Sequence, residues 1–597
     1  MENLKSRHQY NMGIVGNCSY MAYIDTDAAV QWMCMPKFDS DFIFGGLLDQ
    51  EKGGIFSIIP NSDYTTRQYY IPNTNVLCTE FKCNDGSFRV TDFAPRFRQY
   101  DRHFRPLMLF RKLELLSGSP FVKIICRPVG NTGQIKPDIV MGSNHIRYMN
   151  IGQQIRLTSN IPLNYIINEA EFILTETKYL AFTYGIPLEA ALESTAEDFL
   201  DKTIRYWQQW VKTTSISNYF QEQIIRSALV LKLHQYEDTG GIIASGSSSL
   251  PEHHGSGRNW DYRYCWMRDS YYTLKAFNSI GHFEELEKYF RYIQNIILKE
   301  EGRIQPLYGV SGESELKEIE LPLSGYLGNT PVHFGNGAYT HIQNDVYGQL
   351  LTTLLPLYID ERLITSYKFN LNMEVVFRLV NMIEKTMNEP DAGIWEFRNR
   401  KQLHAYTFLF HWAGANAAVK IARFHKNSDL EIRALKLVQQ ASGMLEKCFD
   451  KENNVYRQAI DSENLDASCL QLISMQYIDP ASPLAKQHLK ALEEHLHAGN
   501  GLFYRYRHAD DFGKPHTTFM ICAFWYVEAL VCVGEMDKAI RYFEHLLTYS
   551  NHLGLLSEDV EVESGSQWGN FPQTYSHVGL MNAAYRIATK LDKPYFL

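Results

Sequence analysis

The feature that most constrains this chain is a change of hydrophobic period near residue 190. Before it, short runs rich in β-branched and aromatic residues alternate with turn residues. After it, apolar residues recur at helical spacing to the end of the chain. A chain of 597 residues exceeds the roughly 250–300 at which single cores stop growing, so the change of period marks two domains.

In the first part, residues 75–83 and 87–94 flank Asn84-Asp85-Gly86, a hairpin signal. Runs at 108–116, 121–127, 145–149, 154–158, 171–175 and 179–184 continue the series. Many short strands at this spacing predict a β-sandwich over 1–190. Residues 191–212 form a helical run, which places a helical linker at 191–217.

The remainder, 218–597, carries about twelve helical segments. They fall at 218–236, 266–280, 283–299, 340–359, 369–387, 407–425, 429–449, 465–475, 482–495, 517–534, 536–549 and 575–591. Connections after the even-numbered segments are short, and those after the odd-numbered ones are mostly long. If successive helices run antiparallel, the long loops all fall at one end. That alternation predicts an (α/α)6 barrel with one functional face, because function commonly sits on loops held by a rigid scaffold.

Composition then narrows the partners. The net charge of −9 and the absence of a polybasic run exclude nucleic acid and anionic membrane as natural partners. The apolar stretches are of core-helix length, too short to span a bilayer. Residues 1–7 contain no apolar signal region, and ten scattered cysteines without a CxxC pair read as reduced thiols; a cytoplasmic location is the expectation. Neither a Walker loop, nor a dinucleotide fingerprint, nor HExxH is present. Oligomeric state stays open, a homo-oligomer included.

The long loops carry the chemistry. The first ends in Arg258-Asn259-Trp260-Asp261-Tyr262-Arg263-Tyr264-Cys265-Trp266-Met267-Arg268-Asp269. An Arg beside an Asp at a helix start can grip two sugar hydroxyls, one as donor and one as acceptor. Its four aromatics, Trp260, Tyr262, Tyr264 and Trp266, offer faces on which a sugar ring can stack. The fifth-helix loop holds Trp395-Glu396. An apolar wall there would raise the Glu396 pKa, as a general acid near neutrality requires. The last long loop holds Ser557-Glu558-Asp559, a second carboxylate on the same face, with Glu558 and Asp559 competing for the role of base. Paired carboxylates flanking a glycosidic bond are the minimum machinery for its hydrolysis. Arg505 or Arg507 in the ninth-helix loop could bind a sugar hydroxyl, while Gly335-Asn336-Gly337 and Gln343-Asn344-Asp345 place polar groups at the rim, suited to capping the next helix.

At these residues the chain resembles glycoside hydrolase family 15, the glucoamylase-like enzymes, in its bacterial and archaeal two-domain form. Gly16-Asn17-Cys18 through Trp32 and Pro36-Lys37-Phe38-Asp39-Ser40 are similar to that group's opening sandwich. The motifs at 258–269, 393–396, 501–505, 554–558 and 569–577 follow the family order. The resemblance implies that Glu396 is the general acid and Glu558 the general base, which decides against Asp559. It also implies that Arg268 and Asp269 hold the non-reducing glucose, that Tyr262 and Trp266 wall its pocket, and that Trp395 and Arg505 contact sugar. Phe397 departs from the pattern, since many relatives have a second acidic residue there, and 514–518 replaces a Gly/Glu-rich run. The implied activity is inverting, exo-acting hydrolysis of α-glucans or oligosaccharides with release of β-glucose and no metal or organic cofactor. The alternative is α,α-trehalose hydrolysis by the same two glutamates; outside catalysis it is a regulatory sugar-binding barrel.

Overall fold

The computed structural model describes residues 7–364 and 372–591. Its N-terminal part is a pair of antiparallel sheets. One runs Met12–Gly16, Met21–Asp25, Val30–Cys34, Ile55–Pro60, Phe121–Arg127, Phe172–Ile173, with Phe42–Phe44 beside Val30–Cys34. The other runs Asp138–Met141, His145–Met149, Ile155–Ser159, Lys178–Tyr184, Met108–Gly118, Gly86–Phe93, Leu77–Cys83, Tyr64–Tyr70. The expected hairpin is present, with Cys83 opposite Gly86. Phe56 of the first sheet and Phe182 of the second meet at 6.2 Å between ring centroids. The buried Arg111–Asp92 pair belongs to the second sheet, and Arg111 also donates to the Phe56 carbonyl across the gap at 2.9 Å. A buried guanidinium needs such partners, because an unpaired charge there costs several kcal/mol.

The strands Met12–Gly16, Met21–Asp25 and Val30–Cys34 were not among the runs expected. They are buried on nearly every residue, so they lack the alternation that marks a half-exposed strand.

The linker helix Leu192–Lys212 leads into the helical part, where, besides a short helix at Glu361–Ile364, twelve helical elements among the described residues match the expected segments. They are α1 Gln221–His234, α2 Met267–Ser279, α3 Phe283–Lys299, α4 Asp345–Ile359, α5 Met373–Thr386, α6 Ala405–Phe424, α7 Ser428–Glu446, α8 Gln471–Ser474, α9 Pro483–Leu496, α10 Met520–Val533, α11 Met536–Leu547 and α12 Thr574–Leu591. A 3-10 turn, Ala467–Leu470, extends α8 at its start. The even-numbered elements pack as a closed ring, α2 on α4, α4 on α6, α6 on the α8 unit, that unit on α10, α10 on α12 and α12 on α2. The odd-numbered ones lie outside.

Burial follows position. On α10 every residue but Cys532 is buried, as for a helix with neighbours on all sides. On α3 burial is confined to one stripe, Leu286, Tyr289, Phe290, Ile293, Ile296 and Ile297 among others.

Some ends differ from the sequence reading. Expected helix 340–359 starts only at Asp345, after a 3-10 turn Gly337–Thr340. Expected helix 517–534 starts at Met520, because Thr518–Phe519 pairs with Asp559–Val560. Residues 369–371 of the expected helix 369–387 lie outside the described residues, as do 1–6 and 592–597. Among the described residues, no helix is long and apolar enough to cross a membrane.

The sandwich braces the loop end of the barrel. Trp32 donates its indole N–H to the Gly246 carbonyl at 2.8 Å. Arg263 forms a fork with Asp261 at 2.9 and 2.7 Å and reaches the Ser40 carbonyl at 2.7 Å. Tyr10 donates to the Gly569 carbonyl at 3.0 Å. These bonds tie the first and last long loops to one rigid sheet.

Candidate active site

A cavity opens at the loop end of the helical ring, and all eight residues singled out from sequence line it: Tyr262, Trp266, Arg268, Asp269, Trp395, Glu396, Arg505 and Glu558. Arg507 is exposed, with its guanidinium over Tyr504, and takes no part. Asp559 is buried but does not line the cavity.

Glu396 sits in a loop organised by Asp391. The Asp391 carboxylate accepts N–H bonds from Gly393 at 2.9 Å and Asn344 at 2.8 Å, and the Thr407 hydroxyl at 2.9 Å. Glu396 itself has φ +60°, a left-handed conformation that costs a non-glycine residue energy. Its Oε1 accepts the Trp266 indole N–H at 2.8 Å and Arg268 Nη1 at 3.2 Å.

Burial pushes the Glu396 carboxyl up, but the Arg268 charge, His341 and the bonds from Trp266 and Gln343 outweigh it and hold it below the usual range. The expectation of a raised pKa therefore fails. The tryptophan that meets Glu396 is Trp266, which presents its polar edge. Trp395 donates its indole N–H to Asp466 at 2.7 Å instead.

Glu558 lines the same cavity from the last long loop. Tyr262 donates to its Oε1 at 2.7 Å, and the Asn570 N–H to its Oε2 at 3.1 Å. Gly569 (φ +72°) precedes that donor, and a Cβ there would lie 2.6 Å from the Glu558 carboxylate, so the loop needs glycine. His577 of α12 accepts the Leu556 N–H at 3.1 Å and bonds the Ser227 hydroxyl at 3.0 Å, fixing the approach to Glu558. Burial, then the charge of Glu252, pushes Glu558 up to about 8. Burial, followed by Glu558, raises Asp559 too.

Tyr262 and Trp266 meet edge to face at 5.2 Å, and each donates to one of the two carboxylates that line the cavity.

Arg268 also donates to the Ile394 carbonyl at 2.7 Å and lies 3.4 Å from Asp269. Asp269 Oδ1, which faces Arg268 Nε in that ion pair, and His341 Nδ1 are buried and make no hydrogen bond among the described residues. Arg505 pairs with Glu252, which is 4% exposed and lies 3.7 Å from Arg258. Sequence reasoning missed Glu252 and His341; neither stands in a recognisable motif, and only the fold brings them to the cavity. At the rim, Asn336 caps the 3-10 turn by accepting the Ala338 N–H at 3.0 Å. Asn344, expected as a cap, instead binds Arg303 and the Glu389 carbonyl.

Among the described residues one group has metal-ligand spacing, His103, Glu237 and Glu284, remote from the cavity. Glu237 already faces Arg96, Lys232 and Lys288, a field that repels a cation.

Residues 218–585 match the family model described as Glycosyl hydrolases family 15, and residues 6–162 the one described as Trehalase-like, N-terminal. The chain belongs to glycosyl hydrolase family 15. It is 31% identical to a protein named trehalase from Thermoplasma volcanium, covering 98% of this chain and 93% of that protein. A protein named trehalase from Mycobacterium tuberculosis is 30% identical, over 94% of this chain and 87% of its own length. A bacterial glucoamylase solved with acarbose shares the fold at TM-score 0.69 and 15% identity, covering 98% of this chain and 94% of that one. The family 15 chain is thus a glycoside hydrolase with a β-sheet domain followed by a helical one.

Proposed function

We propose that the chain is an inverting α,α-trehalase in which Glu396 is the general acid and Glu558 the general base. The observation that carries the chemistry is the pair of carboxylates in one cavity, each bonded by one ring of the Tyr262–Trp266 pair. An inverting enzyme needs about 6.5–9.5 Å between its carboxyls to seat a water. The likeness of nearly the whole chain to proteins named trehalase favours the two-ring substrate over the α-glucan reading.

In this reading one glucose lies against Trp266 and Tyr262. Arg268 and Asp269 Oδ1 hold its hydroxyls, and Trp395 and Arg505 complete its surround. Glu396 protonates the glycosidic oxygen as the C1–O bond breaks. Glu558 takes a proton from a water that attacks C1 from the other face. The attacked ring leaves as β-glucose and its partner as α-glucose. Acid–base catalysis and stabilisation of the oxocarbenium-like transition state suffice, so no metal or organic cofactor is called for.

Glucose release from trehalose, maltose, isomaltose, maltotetraose and starch tests the reading. Trehalose is expected to give the highest kcat/KM. Cleavage of maltotetraose or starch without cleavage of trehalose would return the assignment to a glucoamylase.

A further inference from the structure

Part of the cavity lining is a small built wall of Trp260, Arg398 and the 510–512 segment. Residues 510–513 form a closed turn, with N–H···O bonds running both ways between Asp510 and Gly513 at 3.1 and 3.3 Å. Asp510 Oδ1 also accepts the Phe512 N–H at 2.8 Å, inside that turn. Two aspartates latch the turn to separate loops. Asp510 takes Arg258 and the Tyr506 hydroxyl, and Arg258 adds a bond to the Gly513 carbonyl at 3.1 Å. Asp511 accepts the backbone N–H groups of Arg398 at 2.6 Å and Asn399 at 3.3 Å. Those residues directly follow the loop that presents Glu396.

The tip, Phe512, meets Trp260 edge to face at 5.2 Å. The Arg398 guanidinium lies 4.5 Å from the Trp260 ring and 5.5 Å from Phe512, and pairs with Glu318 at 3.4 Å. Two rings and a guanidinium at these separations are too close together for a pyranose to pass between them. The latches are charge-assisted and local, so the turn is held in place rather than left to swing.

We infer that the Asp510–Gly513 turn, latched through Asp511 to the backbone beyond Glu396, is the specificity-determining wall on the leaving-sugar side and limits the substrate to two rings. The inference rests on the trehalase reading for the direction in which the leaving sugar departs. A glucose expelled past Glu396 fits inside the wall. A third ring attached to it would have to displace Phe512 or Arg398. Asp511 acts through the loops it joins, and is a positioning residue.

The test compares kcat/KM for trehalose, maltotriose and isomaltotriose in the wild type, Asp511→Ala and Phe512→Ala, with thermal unfolding of each variant alongside. Phe512 is 43% exposed, so truncating it hollows no core. The wall predicts that both variants raise the three-ring to two-ring ratio at least about tenfold, the scale on which pocket contacts discriminate. An unchanged ratio in both folded variants would overturn it. So would wild-type enzyme that cleaves maltotriose as efficiently as trehalose. Wild type that rejects three-ring sugars but prefers isomaltose or maltose to trehalose would sink the trehalase reading and leave the wall standing.

Discussion

The two sides of the cavity have opposite electrostatics. Around Glu396 stand a guanidinium, an imidazole and an indole N–H, and the carboxyl is held down. Around Glu558, burial and then the charge of Glu252, against one neighbouring cation, Arg505, push the carboxyl up to about 8. The order of the two pKa values therefore favours a proton on the side assigned to the base. This does not forbid the proposed roles. The productive form, with the proton on Glu396, and the resting form, with it on Glu558, each hold one proton, so their ratio is independent of pH. The comparison teaches that the pair must be read as one titrating unit, and that a sugar which engages Arg268 would release Glu396 to carry the proton.

The largest effect that could break this comparison is loss of either carboxylate. Glu396→Gln and Glu558→Gln are each expected to lower kcat on trehalose about 10³-fold or more, at the strong end for acid–base groups, with unfolding midpoints near wild type. A variant that kept near-wild-type turnover would remove that residue from the mechanism.

Next is Gly569→Ala. A Cβ 2.6 Å from the Glu558 carboxylate must push it aside, and a misplacement near 1 Å costs about 10²-fold. Steady-state kinetics should show the loss in kcat rather than in KM.

The pH profile of kcat/KM sharpens the contrast. A single shared proton predicts a plateau through weakly acidic and neutral pH. It falls below the lowered pKa of Glu396, where a second proton arrives. It falls again above about 8, where the Glu396–Glu558 pair loses its remaining proton. An alkaline limb near the ordinary carboxyl range would show that the corners are not so polarised. Glu252→Gln removes a like charge from Glu558, and should move the alkaline limb to lower pH while leaving the acid limb in place.

The smallest effect concerns Trp395→Phe, which forfeits the bond to Asp466, a loss of about 1 kcal/mol in stability read by denaturant titration.

Much of this was legible in the sequence, for physical reasons. The twelve helices announce themselves because outer helices such as α3 bury one stripe. The alternation of loop lengths survives errors of a few residues at helix ends. The α8 unit is the shortest of the ring, yet its buried run Ala467–Ser474 still carried the period. Strands such as Met12–Gly16 were illegible because burial on both faces erases their alternation. Glu396 and Glu558 could be picked out by chemistry and family motif. Their protonation could not, because Arg268 lies 128 positions from Glu396 and is brought beside it only by the ring of helices. The Arg505–Glu252 pair, 253 positions apart, was hidden for the same reason. Local sequence reported the loops, and the fold decided what they met.

The most direct test of the central claim is proton NMR of trehalose hydrolysis, read before the products mutarotate. Inversion by the Glu396–Glu558 pair predicts α- and β-glucose in equal initial amounts. The β anomer comes from the attacked ring and the α anomer from the leaving one. Initial release of α-glucose alone would mean retention, and would contradict a mechanism in which Glu558 activates water on the opposite face.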